Sequence, residues 1–369
     1  MPLPAIDHVY RTLYAELSQR TLDAAFTSEF SPDGRFITME SRSRRYWYFD
    51  TPDADGKKRR YVGPVDDPEV TRRVEHFREL KEDRRARRKI VSTLIREAYL
   101  PRPEKKSGDV VEALARAGFF RLRGVLVGTV AYQCFSAQLG VRLPGAAMQT
   151  GDADFAQFQA ISAAIGDTLP PILDVLKEVD PTFREVPHPA DPTRSTTFAA
   201  RDGYKVEFLT PNAGSDDVTG HPAQMPALGH TWAEPLRFLD YLIHEPERAV
   251  LLHGPGVPVL VPTPERYAIH KLIVATRRHT DGLGSAKSAK DRLQAATLIE
   301  AAIQTRRLED LAEAFIEAWD RGRAWKEAMQ KSLKTYDRQI AEAMAAGIVQ
   351  GIKSLGVDHE RYEILARDN

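Results

Sequence analysis

Residues 125–155, VLVGTVAYQCFSAQLGVRLPGAAMQTGDADF, decide how this chain is read. The apolar run Val125-Leu126-Val127 predicts a strand, Gly128-Thr129 a turn of small residues, and Val130 to Leu139 a helix. Glycine permits a sharp turn and close approach of a ligand, while the Thr129 hydroxyl can cap the helix and bond an anion's oxygen. Free backbone N–H groups at the start of such a helix suit phosphate. Further on, Asp152 and Asp154 flank Ala153. In a strand that spacing puts both carboxylates on one face, and adjacent acids invite a divalent cation.

Phe155 and Phe158 give these acids apolar company, where a buried charge needs a partner or a metal. A third carboxylate is expected from a neighbouring strand, and Val206-Glu207-Phe208-Leu209 supplies it: Glu207 is the one acid within this β-like run. Carboxylates converging from two strands can hold two Mg²⁺ or Mn²⁺ ions, one activating an attacking hydroxyl and one orienting a triphosphate. The ordinary readings are a turn at Gly151-Asp152, a helix cap at Asp154 and an edge-strand charge at Glu207. Each of these is common taken singly; jointly they are less expected than the site.

Working outward, an opening amphipathic helix is expected over residues 5–26 from the stripe Ile6, Val9, Tyr10, Leu13, Tyr14 and Leu17. An aromatic and basic hairpin follows, with Tyr46-Trp47-Tyr48-Phe49 on one arm and Lys57-Lys58-Arg59-Arg60 on the other. A long helix over Pro68 to Tyr99 is stopped by Pro101 and Pro103. Strands are also expected near 183–187, 195–200 and 203–209, with a helix near 167–179. His253-Gly254-Pro255-Gly256 reads as a hairpin turn, His221 and His230 lie in a Pro/Gly-rich loop, and Asp281 to Ser285 reads as another loop. Beyond Pro264 the pattern is almost wholly helical. The fold class is α+β: an N-terminal helix-hairpin-helix unit over 1–106, a mixed-sheet core over 107–262 and a C-terminal helical bundle over 263–369.

The 369 residues carry 52 basic and 52 acidic side chains, so overall charge points to no particular partner. Locally, residues 57–106 hold 17 Lys/Arg against 9 Asp/Glu. This excess reads either as a solvated helix whose Glu75, Glu79, Glu82 and Asp83 pair with arginines, or as a surface for RNA or another polyanion. The single cysteine, Cys134, reads as a small buried residue; with no internal disulfide to form, a reducing cytoplasm fits. His270 and His279 are too far apart in sequence for a helical zinc pair, and no segment has the length and apolarity of a membrane span.

The order Gly128-Thr129, Thr150-x-Asp152-x-Asp154 and Val206-Glu207-Phe208-Leu209-Thr210-Pro211 resembles the nucleotidyltransferase fold of the polymerase-beta-like superfamily, and more narrowly a bacterial branch of nucleotidyltransferase-like proteins. Two later segments are similar to the helical part of that branch: Val259-x-Val261-Pro262-x-Pro264-Glu265-x-x-Ala268-x-x-Lys271-Leu272 and Lys287-x-x-Lys290-Asp291. The resemblance implies transfer of a nucleoside monophosphate from an NTP to an acceptor hydroxyl, with pyrophosphate leaving. It implies that Gly128 and Thr129 hold phosphates, that Asp152 and Asp154 bind both metals, and that Glu207 binds the catalytic metal and helps deprotonate the acceptor. Lys271, Lys287 and Lys290 are implied to reach the triphosphate; otherwise they are solvated helix lysines. The acceptor stays open between an RNA or tRNA end, a protein and a small molecule. A descendant that has lost catalysis and binds nucleic acid or a partner is the alternative, because the third acid is glutamate where the superfamily more often has aspartate.

Overall fold

The computed structural model describes residues 2–24, 34–41, 44–53, 56–148, 150–164, 167–212, 221–277, 282–362 and 364; His279 lies outside them. The opening helix α1 (His8–Ala24) buries Tyr14 and Leu17 against α2 (Pro68–Arg96). Ile6, on the approach to the helix, is buried in the same cluster. Val9, expected on the same stripe, is 62% exposed instead.

Between these helices the expected hairpin is a three-stranded antiparallel sheet, β1 (Arg35–Ser41), β2 (Arg44–Asp53) and β3 (Gly56–Pro64). The run before Phe49 is long enough to form two strands, not one. Phe36 and Phe49 pack on Phe77 of α2 with ring centroids 4.9 and 5.6 Å away, and the Trp47 indole N–H donates to Thr71 Oγ1 at 3.0 Å. These contacts seat the sheet on the helix through aromatic edges.

The middle of the chain supplies α3 (Lys105–Ala117), β4 (Val125–Val127), α4 (Gly128–Leu139), β5 (Asp152–Ala156), α5 (Gln159–Ala164), α6 (Ile172–Val179), β6 (Arg184–Val186), β7 (Thr197–Ala199) and β8 (Lys205–Pro211). β9 (Ala223–Met225), β10 (Thr231–Leu236), a short α7 (Leu239–Leu242), and the hairpin β11 (Glu247–Leu251) and β12 (Val257–Val261) follow. The helix expected from 167 begins at Ile172, after Pro170-Pro171.

Among the described residues the mixed sheet runs β4-β5-β8-β10-β9, and β7 pairs with both β6 and β8. β5 and β8 are parallel; β4 is antiparallel to β5. Alternation decides which face is covered. Ala153, Phe155, Val206, Phe208 and Ala233 are at most 1% exposed, whereas Asp152, Asp154, Glu207 and Leu209 stand on the opposite, half-buried face. Under the covered face Phe119 packs edge-on to Phe155 at 5.2 Å, and Phe155 stacks on Phe208 at 5.7 Å. Each ring removed from water contributes about 2–3 kcal/mol, which rigidifies the strands bearing the acids.

The C-terminal part consists of α8 (Pro264–Ala275), α9 (Gly282–Gln304), α10 (Leu308–Asp320), α11 (Arg323–Leu333) and α12 (Arg338–Ser354). α8 opens with Thr263 as N-cap, its hydroxyl accepting from Arg266 N–H, and Pro264 in the first turn. Residues 282–285, expected as loop, form the first turn of α9: helical packing downstream overrides the glycines. Glu265 is 3% exposed and meets Arg307 Nε at 2.9 Å; burial pushes its carboxyl up to about 7. One apolar cluster runs from Leu3 to Ile364, and Leu3 exchanges two backbone hydrogen bonds with the Gln304 amide at 2.8 and 2.7 Å. No described helix is long and apolar enough to cross a membrane.

Candidate active site

Strand register brings the acids together. Asp154 lies opposite Val127 on one side and Glu207 on the other, while Asp152 is opposite Lys205. Paired residues in a parallel ladder point to the same face, so all three carboxylates share the face toward α8 and α9. The Thr150 hydroxyl donates to Asp152 Oδ1, orienting it. Glu207 sits inside the sheet, flanked by β5 and β7; the edge-strand reading does not hold.

Gly128 joins this group through its lack of a side chain. Its φ is +66°, a conformation other residues adopt at a cost, and an added Cβ would lie 2.1 Å from Asp154 Oδ2. The carboxylate of Asp154 thus rests against the backbone of the turn. The expected Thr129 cap is absent: the residue preceding α4 is Val127, extended, and no side chain caps the helix. Thr129 itself is buried.

Tyr267 and Gln294 brace the turn from behind. The Tyr267 hydroxyl lies 3.0 Å from the Gly128 carbonyl, to which it donates, and 3.1 Å from Gln294 Oε1; Gln294 Nε2 donates to Ala147 O at 2.8 Å. Both side chains are fully buried. No sequence signal marked them. Tyr267 occupies an unspecified position of the Pro264 to Leu272 motif, and Gln294 lies beyond the Lys287 to Asp291 segment.

The electrostatics tie the remaining residues to the same place. Burial, then the nearby charges of Asp152 and Glu207, push the Asp154 carboxyl up to about 7, while Lys271 and Lys287 act in the opposite sense. Burial and Asp152 also raise Glu207, against Lys287 and Lys205. Lys290 is lowered by burial and by Lys271, and Asp152 partly offsets this. Lys271, Lys287 and Lys290 therefore all lie within the field of the acids. Lys271 has a further commitment that the sequence did not show: its Nζ is 2.6 Å from Asp291 Oδ1, and Asp291 is 1% exposed.

A cavity of about 300 Å³ opens beside Asp154, Gly128, Tyr267 and Lys271. Its far wall is apolar, with Leu209, Leu236 and Val274, and ends at Phe238, whose ring carries the guanidinium groups of Arg237 and Arg277 at 5.2 Å each. Phe238 has φ +67°, a strained conformation for a bulky residue, where the chain turns into α7. Hard oxygen donors whose charge is disfavoured by burial and mutual repulsion are what Mg²⁺ or Mn²⁺ would relieve, so the residues fit such an ion. The three carboxylates are not drawn into one tight set: among the described residues the cluster of metal-type donors within 4.8 Å is Asp109, Glu112 and His253, elsewhere in the fold.

Among the described residues, two arginines of the basic stretch are committed to partners within the fold. Arg87 is 8% exposed, pairs with Asp83 at 2.8 Å and donates to Pro255 O; Arg84 turns toward Glu112 at 3.9 Å. Arg85, Arg88 and Lys89 stay exposed, and the side chains of residues 57–60 lie outside the described set. Cys134 is buried, and burial pushes its thiol up to about 12. Residues 105–320, more than half of the chain, match a family model described as nucleotidyltransferase; no curated protein and no solved structure matches.

Proposed function

The chain belongs to the nucleotidyltransferase family, and on that premise we propose that it transfers a nucleoside monophosphate from an NTP to an acceptor hydroxyl, using Mg²⁺ or Mn²⁺ held by Asp152, Asp154 and Glu207. The observation that carries this reading is the register of Asp154 between Val127 and Glu207, with its carboxylate against Gly128. Triphosphate would lie along the Gly128-Thr129 turn, with Lys271, Lys287 and Lys290 balancing its charge. The nucleoside would fill the cavity ending at Phe238.

The acceptor oxygen attacks the α-phosphorus, the bond from that phosphorus to the bridging oxygen breaks, and pyrophosphate leaves with the electron pair. The acceptor's proton passes to the Glu207 carboxylate, whose basicity is raised by burial. The bound cation supplies neutralisation of the phosphate charge and polarisation of the reacting oxygens. Tyr267 keeps the turn in place, and the apolar wall excludes water that would compete as acceptor. Exposed Arg85, Arg88 and Lys89 would offer a surface to an RNA acceptor. The lone buried thiol suits a reducing cytoplasm.

Calorimetry of each NTP with Mg²⁺ or Mn²⁺ tests the proposal on wild type and on Asp152→Asn/Asp154→Asn. Metal-dependent binding that disappears in the double variant is expected. Absence of NTP binding in wild type, or binding indifferent to the two substitutions, would overturn it.

A further inference from the structure

Asp109 and Glu112, one turn apart on α3, face His253 in the turn between β11 and β12, with the three donor atoms all within 4.8 Å of one another. His253 Nε2 is 2.9 Å from Asp109 Oδ1 and 3.7 Å from Glu112 Oε2. Ligands held about 2.0–2.1 Å from a tetrahedral zinc ion stand roughly 3.3 Å from each other, a value these two separations bracket. The third separation, between the two carboxylates, is within 4.8 Å, so the trio can close on an ion by small side-chain rotations.

The surroundings are shaped around this imidazole. Gly108 lies inside α3, where glycine costs about 1 kcal/mol relative to alanine. An added Cβ there would lie 2.1 Å from His253 Nδ1, so a side chain at position 108 would expel the ring from the acids. Each carboxylate also has a cation on its second oxygen: Lys105 Nζ is 2.6 Å from Asp109 Oδ2, and Arg84 is 3.9 Å from Glu112 Oε1. Such outer contacts hold a carboxylate's orientation and leave the inner oxygen facing the imidazole. His253 further lines a cavity of about 470 Å³ with Val91, Ile95, Arg102 and Leu252, so the imidazole is reached from solvent, and all three donor residues are themselves only partly buried.

We infer that Asp109, Glu112 and His253 form a second cation site, separate from the proposed catalytic centre. One imidazole nitrogen and two carboxylate oxygens match a borderline divalent ion such as Zn²⁺ better than Mg²⁺, which favours an all-oxygen octahedral shell. Bound there, the ion staples α3 to the β11–β12 turn, which also receives the Arg87 hydrogen bond through Pro255.

The test uses untagged full-length protein in the Asp152→Asn/Asp154→Asn background, so that the proposed catalytic site does not contribute. Zn²⁺ alone is titrated by calorimetry, and Co²⁺ alone is followed by visible absorption. One saturable site is expected, with affinity falling at least about tenfold on either His253→Ala or Glu112→Gln. At a hundredfold excess over Kd, Zn²⁺ should raise Tm by roughly 3 °C in the background protein and not in those variants. No saturable site, or one that survives both substitutions, would overturn the inference and leave the trio a hydrogen-bonded clamp. His253→Gln, closer in size, separates loss of a ligand from loss of folding. The catalytic proposal stands or falls separately, on Mg²⁺-dependent NTP binding by wild type.

Discussion

Asp154→Asn provides a test in which stability and function should move in opposite directions. The Asp154 carboxyl is raised from 3.8 to about 7, chiefly by burial and then by Asp152 and Glu207. A folded-state value above the unfolded one means that ionisation costs the native state. Stability contributed by the protonated form is fully present below about 3.8 and is lost as pH rises through about 7. Above pH 7 the metal-free wild type carries roughly 4 kcal/mol of this cost, which asparagine does not. Unfolding of both proteins in a chelator should therefore show the variant more stable at pH 8. The gap should widen by roughly 3 kcal/mol between pH 5 and pH 8. For a chain of this length 4 kcal/mol corresponds to roughly 5 °C in Tm. Adding Mg²⁺ and an NTP should reverse the order, stabilising wild type alone. A variant less stable than wild type at pH 8, or a gap independent of pH, would refute the argument that Asp154 is a charge held at a cost for a cation.

Gly128→Ala meets both a positive φ and the Asp154 carboxylate, so NTP affinity should fall at least about tenfold, with secondary structure by circular dichroism unchanged; an unaltered Kd would show that the turn does not approach phosphate. Asp291→Asn leaves Lys271 buried without its 2.6 Å partner, and urea unfolding should register a loss of about 3–5 kcal/mol. A loss below about 1 kcal/mol would mean that the lysine finds solvent or another anion.

The parts of the fold that were legible in the sequence are those whose chemistry is local. Asp152 and Asp154 declare a strand face by their spacing, and Gly128 declares a turn; β4, α4 and β5 formed as expected. The hairpin at His253 was equally plain, because two short apolar runs, Val250 to Leu252 and Val257 to Val261, flank a Gly-Pro-Gly turn. β9 was hidden within the segment read as a Pro/Gly-rich loop, and β10, directly after it, was not expected. Pro235 lies in β10 beyond the residues paired with β9, where a missing N–H spoils no bond on that side. At the candidate site, Asp152, Asp154 and Glu207 are proposed from strand patterning, whereas Lys271, Lys287 and Lys290 are reached only through the family resemblance. The Lys271–Asp291 pair and the Tyr267 brace depend on how α8 and α9 dock, which no local pattern encodes.

That docking has a practical meaning for anyone who would shorten the chain. A fragment ending at Val261 would retain Asp152, Asp154, Glu207, the Gly128-Thr129 turn and all the described strands, and by sequence it would look like a minimal enzyme. It would lack Tyr267, which holds the Gly128 carbonyl, and Gln294, which holds the carbonyl of Ala147 on the approach to Asp152. It would also have no basic residue of α8 or α9 to moderate the repulsion among the acids. Chemistry and support are therefore not separable cassettes here: transplanting the motif alone would carry the carboxylates into a new host without the geometry that keeps them close.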